Sequence, residues 1–310
     1  MATIIVLGSL NMDIAAVAPR LPQPGETVIG SHFHTAPGGK GANQAYAAAK
    51  LGDAGSTAML GRVGQDDFGR QIIASLAGVG CSVEGVRTLA GPSGVALISI
   101  TEAGQNSIVV VPGANERFSP ADIEADARLM RGARYALLQM EIPLPTTIAA
   151  ARAARAAGLE VILDPAPAPQ LPLPAELLQY VDVLTPNETE ASLLTGVRPA
   201  DVSVEEARTI AGRLQSSGVR VVIIKLGAKG CLLLEGGTAT HVPAPMVKAV
   251  DTTGAGDIFN AAFAVACAEG ATRLDACQFA VHAAASTVIR MGYQASVPTR
   301  AELEAYLRQT

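Results

Sequence analysis

Short, mainly apolar runs recur along the chain: TIIVL at the start, then YALLQ, EVILD, VDVLT and VVIIK. Runs this short, mostly rich in β-branched residues and closed by polar or glycine clusters, read as strands buried on both faces. From Ser119 onward they alternate with segments whose apolar residues return every three or four positions. These are SPADIEADARLMRG with Ser119 as N-cap, PLPTTIAAARAARAAG, PNETEASLLTG and SVEEARTIAGRLQSSG. Serine, proline and asparagine at their openings are helix-start residues. Strand–helix alternation predicts an α/β sandwich of Rossmann type, a parallel sheet with helices on both faces. LDACQFAVHAAASTVIRMG and PTRAELEAYLRQ close the chain as helices.

The first third follows a different pattern. ETVIGSHFHT, after the turn residues Pro22, Pro24 and Gly25, reads as a strand. VALISI and SIVVV flank a loop containing Glu102, Gly104 and Asn106, as in a hairpin. These pieces predict a small second sheet contributed by about residues 12–36 and 93–112, with strands at Val28 to His34, Val95 to Ile100 and Ser107 to Val111. Between them GRVGQDDFGRQIIASLAGVG reads as a loop and a helix from Asp67 to Leu76. With no repeat and no low-complexity linker, residues 1–310 are expected to form one domain carrying that small sheet.

Composition narrows the function. Hydrophobic residues are 49% of the 310, aromatics 4%, and tryptophan is absent, so the core must be built from Ala, Val, Leu and Ile. A net charge of −5 without a basic block argues against nucleic acid as a partner. No apolar run approaches the ~20 residues of a membrane span, and no basic segment precedes TIIVL as in a signal peptide. Cys81, Cys231, Cys267 and Cys277 have no metal spacing and lie in or near apolar stretches, which fits free thiols in a cytoplasmic protein. His32 and His34 lack a third ligand and carry little weight as a metal site.

Candidate chemistry gathers at two glycine-rich helix entries. Asp251-Thr252-Thr253-Gly254-Ala255-Gly256-Asp257 runs into IFNAAFAVACA, and PGGKGANQAYAAAKLG holds Gly39, Lys40 and Asn43. Glycines let backbone N–H groups approach a ligand, and a helix start leaves such groups unpaired and favours an anion. A carboxylate at that point, Asp257, can take a proton from a hydroxyl, which together suggests phosphoryl transfer to an alcohol. Neither GxGxxG after the first strand nor a Walker A loop is present. Asn11, Asp13, Glu141, Asp164, Asn187, Lys225 and Gly227 all fall at or just beyond strand ends, where α/β sheets bind ligands. Each has a plain alternative. Asp13 could cap a turn, Glu141 could pair with an arginine, His282 could be a core histidine, and Asn187 with Glu190 could be an ordinary helix start.

GGKGANQAYA, DTTGAGDIFNAA and PNETE, in this order, resemble the two signatures and the Asn-x-x-Glu motif of the ribokinase-like (PfkB) sugar kinase family. The likeness continues through GSLNMD, QMEIP, DPAPAP, KLGAKG and ASVPTR. It implies a large α/β domain with a β-sheet lid, and ATP-dependent phosphorylation of a sugar's primary hydroxyl, ribose being the preferred acceptor. Nucleoside, 2-deoxyribose or fructose acceptors, and a non-catalytic sensing relative, are the alternatives. By the same resemblance Asn11, Asp13, Gly39, Lys40, Asn43 and Glu141 would hold the sugar, and Asp257 would be the base. Gly254, Ala255 and Gly256 would form the anion hole. Asn187, Lys225, Gly227, Gly230, Gly256 and His282 would serve ATP, and Glu190 would serve Mg²⁺ through water. Asp251, Thr253, Arg290, Gly292 and Ser296 would hold a monovalent cation, K⁺, and the lids would join a homodimer. Lys225 departs from the family pattern, which has a small hydroxyl residue there. Asn11 is expected to meet the acceptor's 2-hydroxyl region.

Overall fold

The computed structural model describes residues 2–101, 105–169, 172–197 and 202–308. The hairpin-loop residues Glu102 and Gly104 lie outside them. β1 (Ile4–Leu7) starts a large sheet, and β2 (Asn11–Ala18) and β3 (His32–Gly38) leave it for a smaller one. The chain returns through α1 (Lys40–Leu51), β4 (Thr57–Gly64), α2 (Asp67–Gly78) and β5 (Ser82–Leu89), then crosses over again for β6 (Gly94–Thr101) and β7 (Asn106–Val111). Regular alternation follows: α3 (Pro120–Asp126), β8 (Tyr135–Leu138), α4 (Leu144–Ala156), β9 (Glu160–Leu163), α5 (Ala175–Leu178) and β10 (Val183–Leu184). Next come α6 (Glu188–Thr195), α7 (Val204–Gln215), β11 (Val221–Lys225) and the hairpin β12 (Cys231–Glu235)–β13 (Thr238–Val242). The last elements are α8 (Ala255–Ala268), α9 (Arg273–Thr287), α10 (Tyr293–Ser296) and α11 (Arg300–Leu307).

Among the described residues the large sheet has nine strands in the order β13-β12-β11-β10-β9-β8-β1-β4-β5. Alternate residues of each buried strand serve opposite cores, which is why the runs look uniformly apolar in sequence. Ile4 and Val6 pack with α1, α8 and α9, whereas Ile5 and Leu7 pack with α4, α5 and α7. The small sheet runs β3-β2-β6-β7, with β2 and β6 parallel and its other pairs antiparallel.

The structure departs from expectation in four places. Asn11 and Asp13 begin β2, a full strand of the small sheet, rather than a turn beyond β1. ETVIGSHFHT starts to pair only at His32, and β3 continues to Gly38. β4 and β5 were not anticipated: TAMLGRVG is buried throughout yet broken by two glycines, and SVEGVRTL is a half-exposed edge strand. The β12–β13 hairpin makes the sheet mixed, since β12 runs against both neighbours. Its turn, Gly236-Gly237, has φ of 57° and 79°. Positive φ at both turn residues matches the twist of a two-residue hairpin, so Gly-Gly was the available signal.

One close approach positions everything that follows. A Cβ on Gly41 would lie 2.7 Å from the backbone of Gly8 and Ser9. The start of α1 therefore rests directly on the chain leaving β1, and Lys40, Asn43 and Gln44 reach over the sheet's edge.

Candidate active site

In the large sheet the strand order reverses at β1, which lies between β8 and β4. Open α/β sheets bind ligands in the crevice beyond such a reversal. Here Ser9, just past β1, donates its hydroxyl to Glu141 Oε2, just past β8, at 2.5 Å. The same oxygen accepts the Lys40 backbone N–H at 3.0 Å, and Ser9 Oγ accepts that of Gly41 at 3.3 Å. Two strand exits and a helix start are thereby joined.

Asp257 sits in the first turn of α8 and is 5% exposed. Its Oδ2 accepts from Asn43 Nδ2 at 3.2 Å and its Oδ1 from Gln44 Nε2 at 3.1 Å, both donors belonging to α1. Burial raises its pKa to about 6; the Lys40 ammonium and the two amides oppose that rise, and the Asp164 carboxylate adds to it. Asp13 is raised to about 7, by burial first and then by Glu141 and Asp257. Burial favours the neutral amine of Lys40, but Asp257, Asp164, Glu141 and Glu190 outweigh it and hold the ammonium charged. The result is a cluster of crowded carboxylates around two cations, Lys40 and the buried Lys225, which pairs with Asp164.

Both helices that face this cluster begin at glycine without a side-chain cap, Gly39 for α1 and Gly254 for α8. By contrast α2, α3, α6, α7, α9 and α11 are capped by a side chain. The first-turn N–H groups of α1 are taken, Lys40 by Glu141, Gly41 by the Ser9 hydroxyl and Ala42 by the Ser9 carbonyl, so it is the start of α8 that leaves N–H donors and a positive dipole end for an anion. Gly254 cannot be replaced without strain: φ is +71°, and a Cβ would lie 1.9 Å from the Tyr293 ring. Tyr293 in turn donates its hydroxyl to the Asn43 carbonyl at 2.9 Å.

A cleft of about 720 Å³ opens beside Asp257, within the range of small-molecule sites. Lys40, Asn187, Glu190, Lys225, Gly227 and Gly230 line it, together with Gly254 through Gly256. Lys225 ends β11, pairs with Asp164 Oδ1 at 2.9 Å, and its Nζ lies 3.2 Å from where a Gly256 Cβ would be. It points at the open end of α8. Asn187 and Glu190 form a reciprocal capping box on α6, so the ordinary reading of that pair holds as well. Both Glu190 oxygens already accept an N–H from Asn187, at 2.8 and 2.9 Å, and burial raises its pKa despite Lys225. No three His, Cys, Asp or Glu cluster as a metal cage among the described residues. One buried carboxylate with lone pairs to spare fits an ion that keeps its own waters, as Mg²⁺ does.

The remaining candidates lie around this centre. Asn11 is buried, and its Oδ1 accepts from Asn115 Nδ2 at 2.8 Å, which leaves the amide N–H₂ as its free end. Asp251 Oδ1 accepts from Thr253 N and Oδ2 from Gly292 N, at 2.9 and 3.0 Å, tying the two loops together. Although burial opposes it, these N–H bonds lower the Asp251 pKa. Ser296 is buried in α10 and bonded to the Tyr293 carbonyl, while Arg290 is exposed. His282 does not line the cleft. Its neighbours Val281, Ala284 and Ala285 do, and its Nδ1 lies 2.8 Å from the Gln278 carbonyl on its own helix.

Sequence reasoning gave no role to Gln44, Gln139, Ser9, Asn115 or Tyr293, and none to Asp164 beyond its place at a strand end. Gln44 had a signal. It lies four residues after Lys40, on the helix face that Lys40 and Asn43 share.

Comparison with known proteins bears on this arrangement. The model of the pfkB family carbohydrate kinases matches residues 1–300. The ribokinase of Haemophilus influenzae is 38% identical, over 98% of this chain and 98% of its own. The deoxyribokinase of Salmonella typhi is 37% identical, over 98% of each. The structure of Arabidopsis thaliana ribokinase complexed with ribose and ATP superposes with a TM-score of 0.90 at 39% identity, covering 99% of both chains.

The buried carboxylate makes a prediction about stability that needs no assay of activity. Because the Asp257 pKa stands at about 6 instead of 3.8, protonation favours the fold. That contribution is complete below about pH 4 and is lost as the pH rises through about 6. Asp257→Asn removes the titration. Urea denaturation should therefore show the stability difference moving toward the variant by about 3 kcal/mol between about pH 4 and pH 8. A difference independent of pH contradicts the burial argument.

Proposed function

This chain belongs to the pfkB family of carbohydrate kinases, and from that premise we propose that it phosphorylates the primary hydroxyl of D-ribose with ATP. The observation that carries the reading is the buried Asp257 carboxylate at the uncapped start of α8, aimed by two amides into a cleft of nucleotide size. Asp257 accepts the hydroxyl proton as the oxygen attacks the γ-phosphorus. The anion hole of Gly254, Ala255 and Gly256, in which the Ala255 N–H bonds the Thr252 carbonyl at 3.2 Å in the free protein, takes the charge that develops on the transferred phosphoryl group. Lys225, a cation beside that turn, adds to them.

Asp13, Glu141, Lys40, Gly39, Asn43 and Asn11 are the proposed sugar contacts. Asn11 offers its N–H₂ end to the 2-hydroxyl, because Asn115 occupies its carbonyl end. This supports ribose over 2-deoxyribose, a choice that 38% and 37% identity to the two kinds of kinase leave open. Asn187, Gly227, Gly230 and Gly256 would face the nucleotide, with His282 behind the wall of α9. Glu190 would hold Mg²⁺ through water, which would neutralise phosphate charge, and Asp251, Thr253, Arg290, Gly292 and Ser296, several through backbone carbonyls, would hold K⁺, which would stiffen the loop before Gly254.

The small sheet is proposed as a lid over the sugar and as the contact of a homodimer. Its edge strand β7 exposes Ile108, Val109, Val110 and Val111 in succession, with Leu97 and Phe33 also exposed. Such an edge invites a partner. The four free, buried cysteines support a reducing cytoplasm, which cell fractionation tests. No helix among the described residues is long and apolar enough to cross a membrane.

Kinetics and light scattering test this reading. In a coupled ADP-release assay over ribose, 2-deoxyribose, nucleosides and fructose, ribose should give the highest kcat/KM, falling on the acid side near pH 6. Asp257→Asn should lower kcat by about 10²–10⁴-fold, and Asn11→Met should erase a ribose preference of roughly ten- to hundred-fold. A better acceptor than ribose, or near-normal turnover without the carboxylate, rejects the assignment. K⁺ should raise kcat over a large organic cation at equal ionic strength, and equal rates reject the cation site. Light scattering at micromolar concentration should give a dimer, and a monomer removes the lid contact.

A further inference from the structure

Gln44 stands at the centre of a buried polar chain. It is fully buried, and its single Nε2 divides its two hydrogens between Asp257 Oδ1 and Asp164 Oδ2, both at 3.1 Å. Its Oε1 accepts from Gln139 Nε2 at 2.8 Å, which decides which way round the amide lies. Turned over, its oxygen would face two carboxylates. Gln139 is itself fully buried and packed on bare backbone, since a Cβ on Gly8 would be 2.0 Å from its Oε1. At the other end Asp164 holds Lys225, the cation that points at the start of α8. One unbroken line of hydrogen bonds thus runs from the phosphate side of the cleft to the base.

We propose that Gln44 is a positioning residue: it aims the Asp257 carboxylate at the acceptor and ties the charge on Asp257 to the Lys225–Asp164 ion pair. The role rests on the kinase reading of the site. A purely structural glutamine needs a hydrogen-bond partner but not this one, whose two hydrogens go to two different carboxylates. A donor shared between two neighbouring carboxylates, with a cation at the far end, offsets the repulsion between them. Donation by Gln44 favours ionised Asp257, and Asp164 disfavours it. The other groups facing Asp257 are Lys40 from α1, Asp13 from β2 and the Tyr293 phenol from α10. All three are left intact by the variants below.

The two neighbours therefore pull the base in opposite directions, and the test reads the sign. In protein labelled with ¹³C at the aspartate carboxyls, the Asp257 resonance is identified by its loss in Asp257→Asn and titrated directly. Gln44→Leu should move its midpoint up by about one pH unit, and Asp164→Asn should move it down by about as much. Gln139→Leu keeps Gln44 but releases its amide, and should give a smaller upward shift. It also keeps the proposal open to refutation if Gln44→Leu fails to fold. The acid limb of kcat/KM should move with the NMR midpoint in each variant. Midpoints that stay in place, or that move the same way in Gln44→Leu and Asp164→Asn, overturn the proposal. Because the titration needs no substrate, it is read even if the wild-type protein proves not to phosphorylate ribose, a result that would overturn only the earlier reading.

Discussion

The site depends on keeping one carboxylate ionisable where little water reaches it. Burial by itself would leave Asp257 neutral at working pH, and a neutral acid cannot take a proton. Lys40, Asn43 and Gln44 reverse part of that penalty and come from a single turn of α1. They can do so because Gly41 lets that turn sit against the backbone leaving β1. The compromise suits a general base, whose efficiency is greatest with a pKa near the operating pH. It also makes the site a local weakness of the fold, since Asp13, Asp257 and Glu190 are ionised only against their own desolvation.

The sheet supplies the geometry, and Lys225 at the end of β11 is the one strand residue of it given a part in the chemistry. Its strands end together on one edge, so Ser9, Glu141, Asp164 and Lys225 arrive side by side from parts of the chain far apart in sequence. Two uncapped helix starts meet the same edge from above. The small sheet leaves the large one at β2 and again at β6. Asn11, the first residue of β2, therefore hangs between the two sheets, anchored by Asn115.

Much of this was legible in the sequence, for physical reasons. Buried parallel strands must be apolar on both faces, so TIIVL, YALLQ, EVILD and VVIIK announced themselves. Glycines before a helix-compatible run announced the two glycine-led helix starts. β4 was hidden because glycine fills positions where Leu10 and Ser93 press against it, so it lacks the expected apolar run. β5 was hidden by its exposure at an edge. At the site, residues at strand ends could be nominated from position alone. Gln139 and Tyr293 could not, because their roles come from partners roughly a hundred or more residues away, and Gln44 was marked only by the helix face it shares with Lys40 and Asn43. The sequence also could not tell that Asn187 and Glu190 cap α6 while lining the cleft, since one motif serves both ends.

The central claim is that Asp257 removes a proton, beyond merely holding the sugar in place. An acceptor in which a thiol replaces the primary hydroxyl of ribose separates the two roles. A thiol ionises near pH 8.5 without help, whereas a hydroxyl does not. Turnover of both acceptors by wild type and Asp257→Asn, measured near that pH, is the direct test. If Asp257 is the base, the substitution should cripple transfer to the hydroxyl and cost little with the thiol. An equal loss on both acceptors would contradict the account and leave Asp257 as a binding group.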